Sequence, residues 1–168
     1  PLTGPLDPGG RAMTIRGPTD VDGNPTAILD GQGSVRVLIC QNGETSVTVF
    51  ENLVIQNGSA VEGGGMYNSG SSPTLNNCTF TNNSADRGGG MMNVSSSPTL
   101  TSCTFTSNSA DDGGGIFNAS SSPTLANATL CGNTPNQISG IYTDLGGNCI
   151  SEVCDTDADG TLDCNDLC

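Results

Sequence analysis

Histidine, tryptophan and lysine are missing from this 168-residue chain, and aromatic residues make up only 4% of it. The commonest general acid–base and metal-ligand side chain is therefore absent, which excludes Ser-His-Asp hydrolysis and histidine-bound metal chemistry. So few large rings leave no thick globular core on offer. The basic residues are Arg11, Arg16, Arg36 and Arg87 alone, and the formal net charge is −13. That balance argues against nucleic acid and anionic membrane surfaces as partners. No apolar run approaches the roughly 20 residues of a membrane-spanning helix. Apolar residues nowhere recur at helical spacing. The chain starts on Pro1 without a leader and reads as processed or excised from something longer.

Small and polar residues are abundant instead, with 24 glycines. Residues 63–137 fall into three near-copies of 25 residues: GGGMYNSGSSPTLNNCTFTNNSADR, GGGMMNVSSSPTLTSCTFTSNSADD and GGGIFNASSSPTLANATLCGNTPNQ. A fixed period without insertions marks a repeat architecture, in which each copy packs only on its neighbours. The phase extends both ways. Phe50, Leu53 and Ile55 precede Leu75, Cys78 and Phe80 by one period, and Gly140-Ile141-Tyr142 follows Gly115-Ile116-Phe117 by one period.

Within a copy, three short segments are separated by Gly, Ser and Asn: Gly64 to Asn68, Pro73 to Leu75 and Cys78 to Thr81. Short, Thr- and Phe-bearing and flanked by turn residues, they read as strands. Three strands per turn predict an all-β fold, a right-handed parallel β-helix with 25-residue rungs. Alternation points Met66, Leu75, Cys78 and Phe80 inward and Thr74, Thr79 and Thr81 outward. Asn52, Asn77 and Asn127 share one position, interrupted by Ser102, between two strands. A tight corner there needs a residue tolerant of positive φ, and stacked amides can bond along the column, so these three form the expected structural asparagine column.

The paired motifs Gly64-Gly65-Met66 with Phe80-x-x-Asn83, and Gly89-Gly90-Met91 with Phe105-x-x-Asn108, resemble the GGA(I/L) and FxxN repeats of polymorphic outer-membrane autotransporter passengers. More broadly the chain resembles pectin-lyase-like β-helices of bacterial surface proteins, over residues 12–144. Gly65, Gly90 and Gly115 replace the usual Ala, and Leu130 replaces Phe in the last copy. The resemblance implies architecture rather than activity, because this fold carries lyases, hydrolases, adhesins and inert spacers alike.

Residues 1–37 read as a lead-in segment and first rungs, 38–144 as regular rungs, and 145–168 as a Cys- and Asp-rich tail. In the lead-in, Leu2 and Leu6 are the residues able to bury. Strands are expected at AMTIR (12–16), TAILD (26–30) and VRVLIC (35–40), the last with Val35, Val37 and Ile39 on one face. The coil is expected to break at Leu145-Gly146-Gly147-Asn148.

Eight cysteines in an acidic, hydroxyl-rich chain suggest an oxidising, extracellular or cell-surface location. Cys78 and Cys103 share one inward position. Their spacing permits a disulfide, but stacked side chains that point the same way strain it, and two buried thiols acting as small hydrophobes are the favoured reading. Cys131 stands where earlier copies place outward residues, so a partner covering that face is expected, Cys149 or Cys154.

In the tail, Asp155, Asp157, Asp159, Gly160, Thr161 (through its carbonyl), Asp163 and Asp166 occupy positions 1, 3, 5, 6, 7, 9 and 12 of a calcium loop. Asp at the last position departs from the usual Glu. With its flanking Cys the segment resembles a thrombospondin type 3 repeat or a dockerin loop, which implies Ca2+ as cofactor.

No catalytic residues are expected. Asp111-Asp112 and Asp86-Arg87 fall at rung corners, where an acid–base pair reads as a surface ion pair. The outward Thr74/Thr99/Thr124 and Thr79/Thr104/Thr129 columns form flat hydroxyl strips, open to solvation, glycan contact, O-linked sugar or ice. Among the sequons, Asn93 and Asn118, placed on a loop after the first strand, are the expected glycosylation acceptors. The function expected is an extracellular structural or adhesive solenoid, a surface stalk or a unit of a head-to-tail filament. The alternative is a fragment of a carbohydrate-binding or polysaccharide-active β-helix.

Overall fold

The computed structural model describes residues 2–154. The first turn contains β1 (Thr14–Arg16), β2 (Ala27–Asp30) and β3 (Leu38–Cys40), and the second β4 (Val49–Glu51), β5 (Leu53–Gln56) and β6 (Met66–Ser69). The third contains β7 (Thr74–Asn76), β8 (Thr79–Thr81) and β9 (Met91–Val94), and the fourth β10 (Thr99–Thr101), β11 (Thr104–Thr106) and β12 (Ile116–Ala119). The fifth contains β13 (Thr124–Ala126), β14 (Thr129–Cys131) and β15 (Ile138–Ser139), and β16 (Thr143–Asp144) and β17 (Cys149–Ser151) follow. Strands three apart in the chain pair in parallel, giving three sheets: β1-β4-β7-β10-β13-β16, β2-β5-β8-β11-β14-β17 and β3-β6-β9-β12-β15. This is a parallel β-solenoid with three strands per turn.

In the middle of the stack the register is the sequence period. Thr74, Thr99 and Thr124 lie side by side, as do Phe80, Phe105 and Leu130, and Met66, Met91 and Ile116. The interior columns follow from the alternation. Phe50, Leu75, Leu100 and Leu125 line one wall, Ile55, Phe80, Phe105 and Leu130 the second, and Leu38, Met66, Met91 and Ile116 the third, all with no exposure. Thr74, Thr79 and Thr81 point outward, as expected.

The corners are made by residues with positive φ. Asn52, Asn77, Ser102 and Asn127 turn the chain between the first and second sheets at φ 49–56°. A different glycine requirement explains Gly65 and Gly90. A Cβ on Gly65 would stand 2.4 Å from the Gly90 carbonyl oxygen and 2.9 Å from the Phe80 ring, so the alanine of the related repeats does not fit beside a phenylalanine here.

Both ends depart from the period. The first steps span 35 residues (Thr14 to Val49), 26 (Ala27 to Leu53) and 28 (Leu38 to Met66). The last span 22 (Ile116 to Ile138), 19 (Thr124 to Thr143) and 20 (Thr129 to Cys149). Three expectations are corrected here. Ile138, not Ile141, continues the Met66–Ile116 column, and Ile141 is 75% exposed, because the shortened turn brings an earlier residue into register. The coil also runs past Leu145–Asn148, since the Leu145 N–H donates to the Leu125 carbonyl and β17 still pairs with β14. In the first turn Leu38 and Cys40 point inward while Ile39 points out, because only residues 38–40 are strand and the chain bends at Val37, which is itself buried.

Residues 2–10 form a strap over the open edge of the first turn. Leu2 N–H donates to Asp30 O at 3.0 Å, Leu6 N–H to Val37 O at 2.9 Å, and Ile39 N–H to Leu6 O at 3.1 Å. Leu2 and Leu6 pack against the core. No helix among the described residues is long and apolar enough to cross a membrane.

Candidate interaction surface

The interior is closed by two polar ladders rather than opened into a cleft. Asn68 donates from Nδ2 to Asn93 Oδ1 and Asn93 to Asn118 Oδ1, each at 2.9 Å, and Asn118 donates to Ile141 O at 3.0 Å. In the second ladder Asn83 and Asn108 each donate from N–H and Nδ2 to the next Asn Oδ1, and their Nδ2 also reaches back to Ile55 O and Phe80 O. Gln137 closes it by accepting from Asn133 Nδ2 at 2.6 Å. Buried amides bonded in series satisfy one another and fix the register.

These ladders correct two expectations. Asn93 and Asn118 are not loop residues: they sit in β9 and β12 with side chains buried (0% and 9% exposed) and amides committed, leaving no room for a sugar. The column Asn52, Asn77 and Asn127 stands at the corner with left-handed φ, as expected, but its amides do not form a continuous ladder: only Asn77 Nδ2 to Asn52 Oδ1 links two members, at 3.0 Å.

The cysteines resolve in part. Cys131 is bridged to Cys154, and Cys149 is also disulfide-bonded. Cys40, Cys78 and Cys103 are free, buried thiols. Burial pushes the Cys40 and Cys103 thiols well above their ordinary range, so they are protonated and inert as nucleophiles. The expected calcium ligands, Asp155 to Asp166, lie outside the described residues.

Outward side chains form the surface available for contact. The first sheet shows Thr74, Thr99, Thr124 and Thr143, and the second Thr79, Thr104 and Thr129, with Thr81 and Thr106 beside them. The third sheet is different. Tyr67, Met92 and Phe117 lie side by side in register, Met92 covered (2% exposed) between the two partly exposed rings, with the Arg36 guanidinium 4.8 Å from the Tyr67 ring centre and that of Arg87 5.9 Å from Phe117. Arg36 is anchored by Nε to the carbonyls of Glu62 and Gly63 at 3.1 and 3.0 Å. Along the adjoining corner Glu62, Arg87 and Asp112 stack in register. Arg87 Nη1 lies 3.8 Å from Glu62 Oε1, and both side chains are substantially exposed, so the pair contributes little stability. The described residues enclose no pocket. What this arrangement offers chemically is flat contact through hydroxyl rows and a narrow aromatic–guanidinium strip.

Residues 23–156 match the family described as the right-handed beta helix region, and the chain belongs to that family. Curated proteins and solved structures yield no significant match.

Proposed function

We propose that the chain is an extracellular structural or adhesive spacer, a surface stalk of stacked turns braced at its C-terminal end by disulfides and calcium. The observation that carries this reading is the filled interior. Its columns are apolar side chains and amide ladders, and two of its three outer faces are flat rows of hydroxyls. The Cys131–Cys154 bridge supports an oxidising location. The calcium brace rests on the carboxylate spacing of Asp155, Asp157, Asp159, Asp163 and Asp166, whose mutual repulsion a divalent cation would relieve.

Of the two assemblies, a stalk is favoured over a head-to-tail filament. The column Phe50, Leu75, Leu100 and Leu125 is continued by Asp144, which is exposed and bonded to the N–H of Gly146 and the amide of Asn148. A charged residue ending an apolar column opposes the stacking of another rung.

Small-angle scattering of the native material in calcium tests the assembly, with a monodisperse rod expected and fibres reinstating the filament. Proteolysis of residues 150–168 tests the brace, with faster cleavage expected in chelator. Release of oligosaccharides from a polysaccharide substrate would overturn the spacer reading in favour of an enzyme.

A further inference from the structure

Burying a carboxylate is costly unless its oxygens are bonded. Glu44 is 2% exposed and is the one buried carboxylate among the described residues. Its oxygens are shared among three segments of the chain. Oε1 accepts the Gly10 N–H at 2.6 Å, from the end of the strap. Oε2 accepts the Asn42 N–H at 2.9 Å, from the turn after β3, and the Ser71 hydroxyl at 2.8 Å, from the next turn of the coil. Ser71 begins a hydroxyl ladder, because its own N–H donates to Ser96 Oγ and that of Ser96 to Ser121 Oγ, each at 3.0 Å. Glu44 therefore ties the strap to the end of a ladder that runs down the stack.

We propose that Glu44 is an acid-sensitive latch: its carboxylate pins the end of the strap formed by residues 2–10 over the edges of β2 and β3, and its protonation releases that strap while the coil beneath stays folded.

The chemistry follows from the donors. Both oxygens face N–H or O–H groups, so a proton on either one turns an acceptor toward a donor. On Oε1 the proton displaces the Gly10 N–H; on Oε2 the Ser71 hydroxyl can accept it by turning its own hydrogen to Ser69 O, 3.2 Å away, and the bonds from Gly10 and Asn42 are then left with a neutral, weaker acceptor. The strap's remaining ties are the three backbone bonds of Leu2 and Leu6, the packing of those two side chains and the exposed bond from Asn42 Nδ2 to the Asp7 carboxylate at 3.2 Å. The regular turns have no corresponding weakness, because their buried polar contacts are amides and hydroxyls that do not titrate in acid.

The other titratable groups near Glu44 are few. Asp7, on the strap, accepts from Gly9 N–H and from Asn42 Nδ2. The Cys40 thiol lies on β3 and is held protonated by burial and by the charges of Glu44 and Asp7. The 41–46 turn and the Ser71–Ser72 corner carry no further charge, and no ion pair joins Glu44 to Arg11. Burial pushes the Glu44 carboxyl up, but the bonds from Gly10, Asn42 and Ser71 outweigh it, and the net displacement is downward. The latch is thus closed throughout the range above the ordinary glutamate pKa and opens as pH falls through the lower folded-state value. Opening uncovers the N–H and C=O groups of β2 and β3, which then present an unpaired sheet edge. This inference does not depend on the spacer reading.

Amide exchange, expressed as protection relative to the intrinsic rate at each pH, tests the latch. Between about pH 7 and about pH 3, the Leu6 and Gly10 amides are expected to lose at least about tenfold in protection while the β10 amides keep theirs. Glu44→Gln should show the unprotected strap already at neutral pH. Ser71→Ala removes one donor to the carboxylate and should move the release midpoint to higher pH. Strap protection that persists to the acid limit, that disappears together with β10, that keeps its midpoint in Ser71→Ala, or that becomes independent of pH only in Asp7→Asn would each overturn the proposal.

Discussion

The ring of Phe80 lies over that of Phe105, with centres 4.5 Å apart and planes within 1° of parallel. Each ring belongs to a separate turn, and both are fully buried. The contact therefore joins turns three and four through their interiors. Phe105→Ala is expected to cost about 3–5 kcal/mol, from lost burial and the cavity left behind. Phe105→Leu should cost about 1 kcal/mol, since Leu130 occupies the same column one turn later without disturbing it. Urea unfolding of the two variants checks the ordering.

The asparagines give a sharper contrast. Asn108→Ala deprives the Asn83 N–H and amide of an acceptor and the Phe80 carbonyl of a donor, all buried. About 3 kcal/mol is the expected loss. Asn127→Ala, at an exposed corner with φ 52°, should cost about 1 kcal/mol, and Asn127→Gly should be close to neutral. Thermal midpoints measure both, and an equal effect at the two sites would contradict the ladder's role.

That contrast also shows what the sequence made legible. The period, the strand positions in the regular turns and the inward Met66, Leu75, Cys78 and Phe80 follow from alternation, which has one physical cause and is repeated three times. The corner at Asn77 was readable because few residues accept positive φ. The burial of Asn68, Asn93 and Asn118 was not readable from polarity, because buried amides become favourable only when an identical amide waits one turn away. The available signal was their presence in all three copies, against the Ser102 interruption of the corner column. The end turns were the least legible. There the spacing changes from 25 residues to 22, 19 and 20, and pairing is decided by closure of the stack rather than by pattern.

One ladder is left open at its top. Asn68 Oδ1 is buried without a hydrogen-bond donor, and its neighbour in register is Cys40, a buried thiol. A hydroxyl is a stronger donor than a thiol and is smaller. Cys40→Ser is therefore expected to stabilise the fold by about 1 kcal/mol, and Cys40→Ala, which offers no donor, to destabilise it. Chemical denaturation under reducing conditions distinguishes them. A serine variant less stable than the alanine variant would show that the orphan oxygen is not the limiting cost.

The Cys131–Cys154 bridge closes a segment with a sequence separation of 23 residues that contains all of β15, β16 and β17. It starts from the end of β14 and returns the chain toward the preceding turn, where Cys154 Sγ lies 3.4 Å from Thr106 Oγ1. A loop of this length corresponds to about 3 kcal/mol of chain entropy. How that loss would appear depends on the cooperativity of the stack. Each turn contacts only its neighbours, so a defect at one end need not reach the middle. The closing strands are two or three residues long, and Ile138, Tyr142 and Ile150 are only partly buried. The local cost should therefore exceed what these strands gain by docking. In the double variant Cys131→Ser with Cys154→Ser, amides of residues 138–151 are expected to lose protection by about two orders of magnitude. Those of β8 and β11 should change by less than about tenfold. Hydrogen exchange read segment by segment separates the two zones. Uniform loss along the whole chain would mean that the stack unfolds as one unit and that the bridge stabilises all of it, not only its last turn.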